Sequence, residues 1–261
     1  MTGPENSAPP IPSVAIVIPV YNGEAYLERT LLSAAAQTYP NTKIVVIDDG
    51  SKDGSPGILA RLGPRIPNME VHRVPNGGVA RARNTGTEIA GTDYVAYLDA
   101  DDLWHPTKIE KQMATLLAHE GDPSWAACYT LYRKIDANDL HVSNGPSPEI
   151  RGAFFASHLV QNHVGNGSSL LVRRDVALAV GGFEPSYAAE GAGGCEDRDF
   201  QLRLLRRHKM DVTREFLVGY RVTPGNMSSN HVAMGRGQIA VCDRFSRDPQ
   251  VPARLRTLAM M

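Results

Sequence analysis

Three acidic residues stand directly after an apolar run in the middle of the chain. The run Tyr94–Leu98 has no polar alternation, which predicts a buried strand. Asp99, Asp101 and Asp102 follow at once, and ionised carboxylates are too costly to lie unpaired inside a core. We therefore expect them just beyond the carboxyl end of the strand, where open α/β sheets bind ligands. Carboxylates this close repel one another, so the pattern predicts a hard divalent cation completed by an anionic ligand.

Two further groups of polar residues could join this site. Asp48 and Asp49 end an apolar run from Lys43 to Ile47. An acid there can accept a hydrogen bond from a nucleotide base, or it can simply accept bonds from the amides of a turn. Arg81 and Arg83 lie at the start of a predicted helix, where they oppose the helix dipole and favour a phosphate as partner. A surface ion pair explains these arginines equally well.

An acid pair, Glu196 and Asp197, opens another predicted helix late in the chain. Acids at a helix start are often only partners of its dipole, but an acid that faces a crevice can take a proton from a hydroxyl nucleophile. Weaker candidates offer donors or stacking surfaces, although packing, a self-satisfied turn or solvation explains each of them more simply. They are Trp104, Trp125, Arg221, Asn226, Ser228 and His231.

Strands and helices alternate through the N-terminal part and would place the acids together. Apolar runs predict strands at 14–20, 43–47, 69–74 and 94–98, with helices between them at 24–38, 58–62 and 79–90. This order predicts one Rossmann-like α/β sheet, mostly parallel, with helices on both faces. We expect a smaller mixed region in the second half. Acids at the ends of neighbouring parallel strands then meet in one crevice.

Composition limits the class of protein. The 261 residues carry a formal net charge of -1, which gives no reason to expect nucleic acid as a partner. Three widely spaced cysteines indicate reduced thiols and a cytoplasmic setting. No apolar stretch approaches the roughly 20 residues of a membrane span. Residues 1–12 are rich in proline and lack the pattern of a signal peptide, which predicts a disordered lead-in.

Taken together, these segments resemble the family-two glycosyltransferases, which have the GT-A fold. The resemblance implies an inverting transfer of a sugar from a nucleoside-diphosphate sugar, with a UDP-sugar favoured. The acceptor would be a hydroxyl of a saccharide, a lipid-linked molecule or another compound, and a divalent metal, Mn²⁺ or Mg²⁺, would assist. The matching residues are Val17–Asn22, Gln37–Pro40, Ile44–Ser51, Ala82–Gly86, Tyr97–Asp102 and Glu196–Asp197.

The same resemblance implies roles for individual residues. Asp197 would be the general base and Asp101 the direct metal ligand, with Asp99 also near the metal. Thr223 stands where many relatives have a histidine, so further metal ligands stay open. The nucleotide-sugar site would comprise Pro19, Tyr21, Asn22, Asp49, Arg83, Asn84, Asp99 and Asp101, and contacts to acceptor or diphosphate could come from Trp104, Glu196, Arg221, Asn226 and Ser228.

The resemblance also divides the chain and leaves two other functions to weigh. Residues 13–103 would bind the nucleotide-sugar, 104–245 would hold the acceptor and the base, and 246–261 would form a C-terminal tail. A sugar nucleotidyltransferase would need a Gly-rich loop with an arginine after the first strand, where this chain has Pro19–Gly23. A non-catalytic nucleotide-sugar-binding module would have little reason to keep Asp197. We therefore favour the transferase, and a homodimer stays open.

Overall fold

A sheet of nine strands organises the computed structural model, which describes residues 10–119, 121–223, 226 and 229–258. The strands form because apolar and β-branched residues run on without interruption in most of them. In chain order they are β1 (Val14–Val20), β2 (Thr42–Asp48), β3 (Met69–Arg73), β4 (Tyr94–Tyr97), β5 (Leu103–Trp104), β6 (Trp125–Ile135), β7 (His141–Asn144), β8 (Leu170–Arg173) and β9 (Lys209–Arg221).

The strand order is β3-β2-β1-β4-β8-β6-β9-β5, with β7 paired to β6. The pairs β3–β2, β2–β1 and β1–β4 are parallel, as is β6–β9. Every antiparallel pair involves β5, β7 or β8, which belong to the second half. The prediction of an α/β fold with one mostly parallel sheet and a smaller mixed region in the second half is therefore confirmed.

Helices cover both faces of the sheet, as predicted. Alternate residues of β1 enter different hydrophobic clusters, so that Val17 packs with the helices of one face and Ile16 with those of the other. The helices are α1 (Leu27–Ala35), α2 (Ser55–Leu62), α3 (Val79–Ile89), α4 (Lys108–Leu117), α5 (Phe155–Val160), α6 (Arg174–Ala179), α7 (Ser186–Ala189), α8 (Glu196–Leu205), α9 (His231–Arg247) and α10 (Ala253–Leu258).

The C-terminal part contains helices that the sequence analysis did not predict. Helix α9 runs to residue 247, and α10 lies within the predicted tail. Gly237, Val241 and Phe245 recur every four residues on the buried side of α9, and Val251 is buried just after it. Gly235 and Gly237 lower the intrinsic helix propensity here, which obscured the pattern. None of the helices that the structure describes is long and apolar enough to cross a membrane.

Candidate active site

Residues 99–102, here called the acid loop, follow β4 at the edge of the sheet where the sequence predicted them. Asp102 is fully buried and accepts hydrogen bonds from the Ser168 hydroxyl, at 2.6 Å, and from the Arg221 backbone N–H, at 2.9 Å. Burial, together with the charges of Asp101 and Asp99, raises the pKa of Asp102 well above its usual value. Asp102 therefore supports the loop from inside and does not face a ligand.

Asp99 and Asp101 are the more accessible acids of the loop. Asp99 forms an ion pair with Arg83, with 2.6 Å between its Oδ1 and the Arg83 Nη2. Asp101 is partly buried, and among the described residues no other side chain donates a hydrogen bond to its carboxylate. Burial, and then the negative charge of Asp99, raises the pKa of Asp101 to about 6. The repulsion between these two carboxylates is thus unfavourable, and a bound cation would reduce it.

The donor set of these two acids fits a divalent metal. Carboxylate oxygens are the ligands that Mg²⁺ and Mn²⁺ prefer, and a bound cation would offset the repulsion between Asp99 and Asp101. Within the described ranges, no three side chains of His, Cys, Asp or Glu come together in a way that could hold a metal ion. His231 is exposed at the start of α9. A metal here would therefore need water and the phosphates of a ligand to complete its shell.

Arg83 joins the acid loop to the late helix that carries the second acid pair. Its guanidinium is buried; Nη2 contacts Asp99, and Nη1 lies 3.3 Å from the Glu196 Oε1, 113 residues further along the chain. Burial alone would lower the pKa of Arg83, but the charges of Asp99 and Glu196 hold this pKa above its usual value. Glu196 also accepts the Gly194 N–H at 2.8 Å. Both oxygens of the Glu196 carboxylate thus contact protein groups.

Asp197 lies next to this network and is partly buried. One of its carboxylate oxygens accepts the Arg198 N–H at 2.7 Å. Burial, and then the charge of Glu196, raises the pKa of Asp197 from its usual 3.8 to about 7, although Arg83 acts in the opposite direction. A carboxylate with this pKa can take up a proton near neutral pH, which is the property of a general base.

Tyr132 lies near Asp197 and was not identified from the sequence. Burial, and then the charge of Asp197, raises the pKa of Tyr132. A Cβ atom on Gly145 or Gly165 would come within 2.5 Å or 2.4 Å of the Tyr132 ring, so only glycine leaves room for it. Three separate segments thus meet at this tyrosine, which a local sequence pattern cannot reveal.

The residues expected around the nucleotide lie at the ends of β1 and β2. Pro19 is buried in β1 opposite Ile47, whereas Tyr21 is 51% exposed. Asn22 adopts a positive φ of 51°, a conformation that asparagine tolerates better than most residues, and its Oδ1 accepts the Lys52 N–H at 2.8 Å. This geometry fixes the turn that presents Tyr21.

Asp49 is buried and accepts backbone N–H groups from Gly77 and Gly78, both at 2.8 Å. These contacts match the simpler interpretation of Asp49 as an acid that orders a turn. Two carboxylate oxygens offer about four acceptor positions, so hydrogen-bonding capacity for a base remains.

Several other candidates have protein partners that account for their polar groups. The Asn84 amide bonds both the backbone O and N of Phe183, at 2.8 Å and 2.7 Å. The buried Trp104 donates its indole N–H to the Ser168 carbonyl at 2.9 Å. Asn84 and Trp104 thus help to hold neighbouring segments together, and their contacts to a ligand stay a prediction.

Arg221 and Asn226 likewise bond to protein groups. The fully buried Arg221 donates Nε–H to the Asp101 carbonyl at 2.7 Å and pairs with Asp139. Asn226 donates to the Arg221 carbonyl at 2.5 Å. Arg221 therefore stabilises the backbone of the acid loop. Ser228, another predicted contact, lies outside the described residues.

The sheet order, with acids after β4 and an acid pair at the start of α8, is that of the GT-A fold. Residues 15–177 match the model of the family described as Glycosyl transferase family 2, and the chain belongs to that family. The matched segment includes the acid loop and Arg83 and ends before Asp197.

Curated relatives match over part of their length. A chondroitin synthase of Pasteurella multocida is 30% identical over 154 residues, which are 59% of this chain and 16% of the relative. An uncharacterised glycosyltransferase of Haemophilus influenzae is 40% identical over 108 residues, which are 41% of this chain and 43% of the relative. The chain therefore spans less than half the length of either relative.

Solved structures share the fold at low sequence identity. Residues 1–349 of TarS from Staphylococcus aureus, in complex with UDP-GlcNAc, superpose with a TM-score of 0.71 at 16% identity, covering 95% of this chain and 70% of that one. The mannosyltransferase PcManGT from Pyrobaculum calidifontis, with GDP-Man and Mn²⁺, gives 0.69 at 20% identity, covering 98% and 71%. At these identities the likeness shows the fold alone.

Proposed function

We propose that this protein transfers a sugar from a nucleoside-diphosphate sugar, most simply a UDP-sugar, to an acceptor hydroxyl with inversion. The observation that carries the proposal is the double contact of Arg83 with Asp99 and Glu196. It joins the acid loop, suited to the leaving diphosphate, to the start of the helix that carries Asp197. A single displacement needs a leaving-group site and a base, and this contact brings the two together.

Each group would have a defined task in this displacement. The acceptor oxygen forms a bond to the anomeric carbon as its proton passes to Asp197. The bond from that carbon to the β-phosphate oxygen breaks, and its electron pair leaves with the nucleoside diphosphate. Arg83 offsets the developing negative charge. A divalent metal held by Asp101 and Asp99 would supply further charge neutralisation at the diphosphate.

Three observations support these assignments. The pKa of Asp197 near 7 suits a base that works at neutral pH. The acid loop offers oxygen ligands for a metal, and the structurally similar mannosyltransferase was solved with GDP-Man and Mn²⁺. Asp49 keeps acceptor capacity for the N–H of a base, and the exposed Tyr21 directly follows Val20, whose carbonyl accepts the Asp49 backbone N–H.

Calorimetry and a nucleotide-release assay test this proposal. Mn²⁺ should tighten UDP binding to the wild-type protein, and Asp101→Asn should remove that effect because a metal ligand is lost. Asp197→Asn should bind UDP normally and release UDP from a UDP-sugar and acceptor about 10²–10⁴-fold more slowly. Asp175→Asn, which removes an exposed acid at the start of α6, serves as the control.

Four outcomes would contradict the proposal in part or in whole. If UDP affinity does not respond to Mn²⁺, the proposed role of the metal is wrong. If the turnover of Asp197→Asn is undiminished, Asp197 is not the base. Release of pyrophosphate from UTP and a sugar 1-phosphate would identify a nucleotidyltransferase. Tight binding of UDP-sugars with no release of UDP, across a panel of saccharide acceptors, would favour a binding module.

A further inference from the structure

Ser168 makes three hydrogen bonds to the acid loop and to Trp104 just after it. It lies in the 3₁₀ turn Gly167–Ser169 just before β8 and is fully buried. Its hydroxyl donates to the Asp102 Oδ2 at 2.6 Å and accepts the Asp99 backbone N–H at 3.1 Å. Its carbonyl accepts the Trp104 indole N–H at 2.9 Å. One serine thus bonds to residues on both sides of Asp101.

The turn that carries Ser168 is itself held in place. The Asn166 Oδ1 accepts hydrogen bonds from both the N–H and the hydroxyl of Ser169, at 3.0 Å and 3.1 Å. The Gln112 side chain donates to the Ser169 carbonyl at 3.0 Å. A Cβ atom on Gly167 would lie 3.0 Å from the Arg83 Nη2, so the turn also packs against the guanidinium that bonds Asp99.

We infer that Ser168 is a positioning residue for the metal and diphosphate site. This inference rests on the proposed function and deepens it. Asp101, the proposed metal ligand, receives no hydrogen bond from another side chain of the described residues, so the orientation of its carboxylate depends on its neighbours in the loop. Ser168 forms hydrogen bonds with the backbone of Asp99 and with the side chain of Asp102. These two bonds restrain the backbone that carries Asp101.

The adjacent serine offers a matched control. Ser169 is fully buried in the same turn, but its hydroxyl bonds to Asn166 and does not reach the acid loop. Ser168→Ala and Ser169→Ala therefore remove the same group from neighbouring buried positions. Both lose a hydrogen bond inside the protein, but Ser169→Ala keeps the bonds of the Ser169 N–H and carbonyl that hold the turn, and only Ser168→Ala removes a donor from an acid beside Asp101.

The experiment measures UDP dissociation constants by calorimetry in Mn²⁺ and in EDTA. The ratio of the dissociation constant in EDTA to that in Mn²⁺ reports the coupling of metal to nucleotide in folded molecules, so a loss of stability alone leaves it unchanged. We expect this ratio to fall about tenfold or more in Ser168→Ala, since a buried carboxyl oxygen would lose its hydrogen-bond donor, and to stay within twofold of wild type in Ser169→Ala. Ser168→Cys replaces the hydroxyl with a slightly larger thiol, which is a weaker donor, and should also lower the ratio.

Each outcome has one meaning. A wild-type ratio in Ser168→Ala overturns the positioning role, and where that variant does not fold, a wild-type ratio in Ser168→Cys does the same. An equal fall in Ser169→Ala would also overturn it, because general disturbance of the turn would then explain the effect. If Mn²⁺ does not change the UDP affinity of the wild-type protein, the role of the metal in the proposed function is contradicted instead.

Discussion

Replacing Asp197 with asparagine should stabilise the folded protein at alkaline pH, even though it removes the proposed base. The substitution keeps the shape of the side chain and the acceptor for the Arg198 N–H, and it removes a negative charge that lies beside Glu196 in a partly buried position. The ionised form of Asp197 is the unfavourable one in the folded state. A variant that never ionises escapes this penalty.

The size and sign of the effect follow from the pKa. Folding raises the pKa of Asp197 from 3.8 to about 7, so stability from its protonated form is complete below about pH 4 and is lost as the pH rises towards 7. One pKa unit corresponds to about 1.4 kcal/mol. Between pH 5 and pH 8, the free energy of unfolding of Asp197→Asn should gain about 2.5 kcal/mol relative to wild type.

Urea denaturation of both proteins at pH 5 and pH 8, followed by circular dichroism, measures this gain. Glu190→Gln, which removes a charge from an exposed side chain near the same helix, should change the free energy of unfolding by less than about 0.5 kcal/mol at both pH values. A difference between Asp197→Asn and wild type that does not vary with pH would refute a raised pKa at Asp197. The explanation of its basicity through burial and Glu196 would then be wrong.

Two further predictions concern positions away from the chemistry. Asn84→Ala should lower the free energy of unfolding by about 2 kcal/mol, because it removes two hydrogen bonds to Phe183. The affinity for UDP, measured by calorimetry, should stay within twofold of wild type. A tenfold loss of UDP affinity would contradict a role of Asn84 in packing alone. Gly86→Ala should destabilise by about 1–3 kcal/mol in urea titrations, because its Cβ would lie 2.4 Å from Val17 Cγ1. Adding Val17→Ala should recover part of that loss, and no recovery would argue against this clash.

The positions of the acids could be predicted from the sequence because local patterns determine them. An apolar run that ends in charge marks the end of a buried strand, and parallel neighbours bring such ends to one edge. Asp49 and Asp99 lie where this reasoning expects them. The same reasoning predicts helices on both faces, since continuous apolar strands need cover on each side.

The partners of polar side chains could not be predicted in this way. Asn84 bonds to Phe183, 99 residues away, and the Arg221 N–H bonds to Asp102, 119 residues away. Such choices depend on how the second half packs on the first. Ser168 illustrates the same limit, because a serine in a polar, glycine-containing segment looks like any turn residue until the strands are in place.

The dependence of Asp102 on Ser168 and Arg221 has a consequence for the order of folding. Its two donors come from positions 66 and 119 residues away. The pairs β1–β2 and β2–β3 join residues that are 28 and 25 positions apart, but closing the longer loops to Ser168 and Arg221 is slower because more chain entropy is lost before the contacts form. The acid loop therefore acquires its hydrogen-bonded conformation late, when β8 and β9 join the sheet. Residues 13–103 made alone would carry all three acids without the donors that hold them, so ligand-binding competence belongs to the completed sheet.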